Sequence, residues 1–432
     1  MKTRSLFLSL QTLLGFASFG FEGGPLGAEP AAALQAEPVL VLHRPHDPLV
    51  AVTLRFPVGS ASDPAGREGT AFLLGRVLEA ETRAGLAQLS SLLEVSVGRS
   101  EFLLSLRAPE AEWDRAWGIV QGALTGPPLT EGALARVRAS QQERLVFESG
   151  APGRRFELER DRLILSSPGS GSPESVGTAS GVSQRTADDL NQFRRDHLDR
   201  SRTHLSVVGP AAPAQVQGVV RAPILVVGNP EGVRSPPRPL EPLRVPRSPT
   251  APPAWTLGDR QVIDQEVTST WLAVAWPLPA GTPPILLDFL AHVVEESLNP
   301  SPPDPGLYRA EARIERIGEA PLLVVNATID PRSARRWETR VVGVLEDLAV
   351  SAPEGAFFEL TRRRYRARRV LEWAYPEAKA TWLARTQAAH QEVPEFQSQI
   401  WGLSRAGLED LARSRGEPRV LLLGPARMME PE

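Results

Sequence analysis

The sequence predicts an α+β protein made of two duplicated halves, each an antiparallel-rich sheet with helices packed on one face. Three observations lead there. Strand-like and helix-like stretches recur in the same order at an offset of about 220 residues. Within each half the strands do not alternate with helices one by one, as parallel βαβ winding requires. Between the halves lies Asn229 to Trp255, with prolines at 230, 236, 237, 239, 242, 246, 249, 252 and 253. Proline fixes φ and removes an amide donor, so this segment reads as an extended, semi-rigid connector.

The elements follow in order. Leu49 to Val58 (LVAVTLRFPV) is an apolar strand run ending in a Gly/Pro-rich turn and then a helical stretch. Trp271 to Pro279 (WLAVAWPLP) repeats it, leading into a helix over Ile285 to Ser297. Phe102 to Pro109 precedes a helix around Trp113 to Leu124, as Leu322 to Pro331 precedes one around Arg335 to Leu348. Two long helices follow, Glu131 to Val146 and Phe357 to Trp373. Thr186 opens a T-x-x-D capping box with Asp189, and its helix leads into the strand Leu205 to Val208. Ser404 is the matching N-cap before the strand Val420 to Leu423, and both final strands end in Gly-Pro. Two unrelated α+β halves would also show strand–helix patterns. A near-constant offset through five elements favours duplication.

Hydrophobic content of 42% and charged content of 23% allow a sizeable core, and a net charge of −3 gives no global field for nucleic acid or anionic lipid. The chain has no cysteine, which removes disulfides, thiolate metal sites and a cysteine nucleophile together. Lys2 and Arg4 precede an apolar run from Leu6 to about Phe21 and then an Ala/Gly/Pro-rich stretch, the layout of a secretory leader. The expected organisation is residues 1–36 as leader and mature tail, 37–228 as the first half, 229–255 as linker and 256–432 as the second half. The expected location is periplasmic or secreted. Ser166 to Gly181 reads as a mobile Gly/Ser loop.

One stretch carries the functional reading. Gly59-Ser60-Ala61-Ser62-Asp63-Pro64 is followed by Gly69-Thr70-Ala71-Phe72-Leu73-Leu74-Gly75-Arg76-Val77-Leu78. This order resembles the pitrilysin/insulinase-type zinc metallopeptidases, which have a G-S-x-x-D/E-P turn, G-x-A, and H-x-x-E-H on a helix. The resemblance extends through the helix and strand of Thr178 to Pro210 and covers nearly all of the mature chain. It implies a two-half fold like that of the mitochondrial processing peptidases. In that motif two histidines on one helical face share zinc, and the glutamate between them activates water. Here Phe72 stands for the first histidine, Gly75 for the glutamate and Arg76 for the second histidine. None can take the role, because phenylalanine has no ligand atom, glycine no side chain, and arginine is a permanent cation. A later glutamate completes the family's zinc shell; Gln142 and Glu143 lie near its expected place.

The resemblance therefore implies a catalytically silent chain with no cofactor of its own, zinc being expected only in an active H-x-x-E-H homologue paired with it as a heterodimer. Peptides in the family add as a strand to a sheet edge. The corresponding segment is Leu93 to Arg99, with Val95, Ser96 and Val97 central, and Arg313 is the nearest match to a substrate-holding arginine, Pro321 standing where a tyrosine would be. A stand-alone peptide-binding or scaffold protein is the alternative. His292 with Glu295 and Glu296 gives H-x-x-E-E on a second-half helix, read as structural rather than metal-binding. The basic run Thr361 to Arg369 is read as a solvated face, since no aromatic interleaving supports base stacking.

Overall fold

The computed structural model describes residues 38–164, 176–199, 203–227, 260–300, 302, 304–317, 320–350, 355–388, 399 and 402–429. The expected leader, the proline-rich linker and most of the Gly/Ser loop lie outside the described residues.

The first half runs β1 (Val39–His43), β2 (Leu49–Phe56), α1 (Thr70–Gln88), β3 (Leu92–Val97), β4 (Phe102–Pro109), α2 (Trp113–Thr125), α3 (Glu131–Ser149), α4 (Pro152–Ile164), α5 (Ala179–Gln184), α6 (Ala187–His197), β5 (His204–Gly209), α7 (Pro213–Val220) and β6 (Ile224–Val226). Its sheet order is β3-β4-β2-β5-β1-β6. The pairs β3–β4, β2–β4 and β2–β5 are antiparallel, while β1 pairs parallel with β5 and β6.

The second half runs β7 (Arg260–Asp264), β8 (Thr270–Pro277), α8 (Pro284–Leu298), β9 (Leu307–Ile317), β10 (Ala320–Ile329), α9 (Ala334–Val350), α10 (Gly355–Glu372), α11 (Pro376–Ala388), α12 (Arg405–Arg413), β11 (Arg419–Gly424) and α13 (Ala426–Met429). Read from β9, its sheet order is β9-β10-β8-β11-β7, which repeats β3-β4-β2-β5-β1. The pairing senses also repeat, including the one parallel pair, β7–β11.

The predicted caps form. Thr186 and Asp189 make the reciprocal capping box of α6, and the Ser404 hydroxyl accepts from the Gly407 amide at the start of α12. Each sheet has its main helices on one face. Val50, Val52, Leu54 and Phe56 of β2 pack with Leu73, Leu74, Val77 and Leu78 of α1 in the first core. Trp276, Phe289, Trp337 and Tyr365 anchor the second.

The expectation of helices on one face only needs correction. The opposite face of each sheet is crossed by a helix from the other half. Ala380 and Leu383 of α11 pack on Leu40, Leu42, Ala51 and Val208 of the first sheet. Phe156 and Leu163 of α4 pack on Ile263, Ala273, Leu421 and Leu423 of the second. This explains why β2 and β11 read as apolar runs rather than alternating strands, since both faces are covered. Polar groups on the covered faces find partners in the crossing helix. Ser206 donates to the Ala380 carbonyl at 2.6 Å, and Arg419 donates to the Leu163 carbonyl at the end of α4.

Candidate functional site

The site is built from the start of α1 and the outer edge of the first sheet. Asp63 fixes where α1 begins. Its carboxylate accepts from the Gly69 amide at 2.7 Å and the Ala71 amide at 2.8 Å, satisfying donors that the first helical turn leaves open. Gly69 has φ of 90°, and a Cβ there would lie 2.7 Å from the Gly177 Cα, so backbone approach and left-handed geometry both require glycine. The Gly-Ser-x-x-Asp-Pro and Gly-x-Ala words thus have a structural job independent of chemistry.

From that start, α1 lies against β3. A Cβ on Gly75 would sit 2.9 Å from Val95 Cγ1 and 2.9 Å from Val97 Cγ2. Both neighbours are β-branched and stiff, so glycine is what lets the helix close on the strand here. Phe72 and Arg76 flank this contact. The Arg76 guanidinium carbon lies 5.2 Å from the Phe72 ring centre, and Arg76 Nη1 donates to Glu79 Oε2 at 2.7 Å.

These residues line a pocket of about 510 Å³, formed by Phe72, Arg76, Glu79, Glu94, Val95, Ser96, Val97, Leu103, Ser105 and Thr381. It wraps the outer edge of β3. Val95 and Val97 look toward α1, while Glu94 and Ser96 look to the other face with Ser105 of β4 and Thr381 of α11. β3 pairs with β4 alone, so among the described residues its second edge carries no strand.

The structure therefore gathers Phe72, Arg76, Val95, Ser96 and Val97 into one site, with Gly75 packed behind the two valines and outside the lining. It places Arg313 elsewhere: on β9, exposed, in an ion pair of 2.6 Å with Glu315, and outside the pocket lining. Gln142 is half-buried and Glu143 exposed on α3, which contributes nothing to the lining. Glu94 falls within the predicted segment Leu93 to Arg99, whereas the sequence reading missed Glu79, Leu103, Ser105 and Thr381. Glu79 could have been found as the i+3 partner of Arg76. Nothing local marks Thr381, which arrives on a helix from the far half.

Beside the pocket, Glu101 in the turn between β3 and β4 accepts from Arg55 at 3.3 Å and from Arg385 of α11 at 3.3 Å. Burial alone would raise its carboxyl, but Arg385 and then Arg55 hold it below the ordinary carboxylate range.

The second-half candidates have structural roles. His292 is buried between α8 and α10, its ring 5.5 Å from that of Tyr365. Glu295 accepts from the Ala312 amide at 3.3 Å and Glu296 pairs with Arg364 at 2.6 Å. The arginines of α10 are similarly engaged: Arg362 with Glu359 at 2.6 Å, Arg368 with Glu372 at 3.0 Å and Arg369 with Asp288 at 2.5 Å.

No family model and no curated protein sequence matches the chain. Solved structures do. The inactive domain of an M16 peptidase from Pseudomonas fluorescens superposes with a TM-score of 0.71 at 14% identity, covering 91% of this chain and 96% of that one. A protease from Helicobacter pylori gives 0.72 at 15%, covering 89% and 96%. The fold is that of the M16 peptidases. The periplasmic protease PqqL from Escherichia coli matches at 0.63 and 13% identity; 88% of this chain covers 43% of that longer one. At these identities the likeness is one of fold.

In the zinc peptidases that the chain resembles, the H-x-x-E-H motif occupies the positions that Phe72, Gly75 and Arg76 take here. These three residues do not fit a zinc ion. Phe72 offers no donor atom, Gly75 has no room for a side chain, and Arg76 brings a positive charge held by Glu79. Among the described residues no group of three His, Asp or Glu side chains could hold a metal. No helix among them is long and apolar enough to cross a membrane.

Proposed function

We propose that this chain is a non-catalytic M16-fold subunit of the bacterial envelope, which pairs with an active H-x-x-E-H homologue and contributes a peptide-binding edge to a shared proteolytic chamber. The observation that carries this is the pocket around β3. A strand edge and a pocket survive where the fold's chemistry would stand, while the motif helix is packed shut at Gly75. A site kept open beside an erased centre suits binding without turnover. The repeated strand order supports an internal duplication as the origin of the two halves.

The peptide would add to Val95, Ser96 and Val97 as a further strand. Main-chain hydrogen bonds give affinity, and side chains fall alternately toward α1 and toward α11. A second reading, a stand-alone peptide-binding protein, rests on both halves of the chain lining the pocket, the second half through Thr381.

The deciding experiment is affinity purification of the tagged chain from its own cell envelope with mass spectrometry of what co-purifies. A homologous chain carrying H-x-x-E-H in near-equal amount is the expected result, with peptidase activity of that partner rising on reconstitution. Recovery of the chain alone, still binding unfolded peptide, would replace the subunit reading with the stand-alone one. Recovery from the cytoplasmic fraction would overturn the envelope assignment.

A further inference from the structure

Phe72 and Arg76 stand side by side in the lining of the pocket. Arg76 has a side chain 42% exposed, whereas its partner Glu79 is 17% exposed, so of the two pocket-lining charges the cation is the more open to solvent. Glu79 takes one N–H, from Nη1. A guanidinium has five N–H donors in a planar fork, and the fork is matched to a carboxylate. The Phe72 ring lies beside Arg76, 5.2 Å from its guanidinium carbon. The two faces of β3 also differ in charge. Toward α1 stand Phe72, Val95, Val97, the more exposed Arg76 and its less exposed partner Glu79; on the other face stands Glu94, 69% exposed, with Arg107, a cation 3.7 Å from Glu94 and already paired with Glu377 at 3.1 Å.

We propose that the pocket selects peptides by an acidic side chain: in a strand added along β3, an Asp or Glu on the α1-facing side docks on Arg76. This rests on the reading of β3 as a peptide edge and adds to it a rule of position. Side chains of a strand alternate between faces, so moving the acid by one residue turns it from Arg76 toward Glu94. The preference therefore depends on the parity of the acid within an apolar/hydroxyl alternation, not on net charge.

The test uses the full chain and three fluorescent peptides of one composition class. The host alternates Val and Thr, its valines suited to the α1 side and its threonines to Ser96, Ser105 and Thr381. One derivative carries Glu at a Val position and the other Glu at a Thr position. A slip by one residue would turn every valine onto the hydroxyl face, so register is held by the pattern. We expect the first derivative to bind about tenfold more tightly than the second. Arg76→Met, which keeps the apolar stem over Phe72, should equalise them. Glu79→Gln, which releases the guanidinium, should widen the gap, an effect that misfolding could not produce. Equal binding of both derivatives to the wild-type chain, or a gap that Arg76→Met leaves intact, would overturn the role of Arg76 while leaving the peptide edge standing. Failure of all three peptides to bind would overturn the edge itself.

Discussion

A side chain at position 75 must push between two valines that are already in contact distance of the helix. A Cβ alone would approach Val95 and Val97 to 2.9 Å each. Gly75→Glu should therefore destabilise the fold by about 1–3 kcal/mol, the range for overpacking a closed core, measurable by chemical denaturation. The same contact opposes the building of an H-x-x-E-H motif at these positions. The triple change Phe72→His, Gly75→Glu, Arg76→His should give no hydrolysis of a fluorogenic peptide with added zinc. The helix would have to lift from β3, and the third ligand is missing because Glu143 is exposed on α3 rather than turned into the pocket. Zinc-dependent, chelator-sensitive turnover in that variant would refute this account of the packing.

The packing of α8 against α10 depends on a neutral imidazole. His292 is 8% exposed, and both ring nitrogens are buried with no hydrogen-bond partner. Burial lowers its pKa; Arg368, Arg369 and Arg364 add to the effect, and Glu296 opposes it. Below the ordinary value of 6.5 the unfolded chain takes up the proton first, so stability is full above 6.5 and falls as pH drops toward the folded-state value. His292→Leu should remove two unsatisfied polar atoms and gain about 1 kcal/mol near neutral pH. The gain should widen on acidification to pH ~5.5. Thermal unfolding of both proteins across this range checks it; a variant that loses stability at pH 7, or gains none on acidification, would contradict it. The neighbouring arginines show how a charge run becomes structure. What reads as a basic stripe over Thr361 to Arg369 is largely committed to Glu296, Glu359, Glu372 and Asp288.

The two halves are held together by an exchange of helices. α4 of the first half covers the second sheet, and α11 of the second half covers the first. Each half alone would expose an apolar sheet face, so residues 38–227 and 260–429 expressed separately should aggregate, and co-expression should yield a soluble complex. Phe156→Ala, which empties a buried site on the second sheet, should cost about 3–5 kcal/mol. An independently folded half, by circular dichroism and gel filtration, would show that the exchange is dispensable. Glu101 adds an acid-sensitive link, since it joins Arg55 of the first half to Arg385 of the second. Its depressed carboxyl contributes stability above the ordinary value of 4.5, lost as pH falls through the folded-state value. Glu101→Gln should be less stable than wild type by about 1–2 kcal/mol at pH 7 and should converge with it in acid.

By itself the sequence determined the features that neighbouring residues encode. Alternating and continuous apolar runs marked β2, β4, β8 and β10, and a side-chain oxygen three residues ahead of an amide marked the caps at Thr186 and Ser404. The order of the turn and motif words located α1 and showed that Phe72, Gly75 and Arg76 lack the atoms for zinc chemistry. The tertiary structure alone decided what those residues build. The pocket needs Thr381, whose hydroxyl lies 3.4 Å from that of Thr53 across 328 residues of sequence. The crossing helices were equally illegible: α4 buries Phe156, Arg160, Leu163 and Ile164 amid charged neighbours, a pattern that reads as a surface helix until the opposite sheet is in place. Local periodicity and capping are set within a few residues. Which face a helix covers, and which edge a pocket surrounds, are set by contacts that only the folded chain brings together.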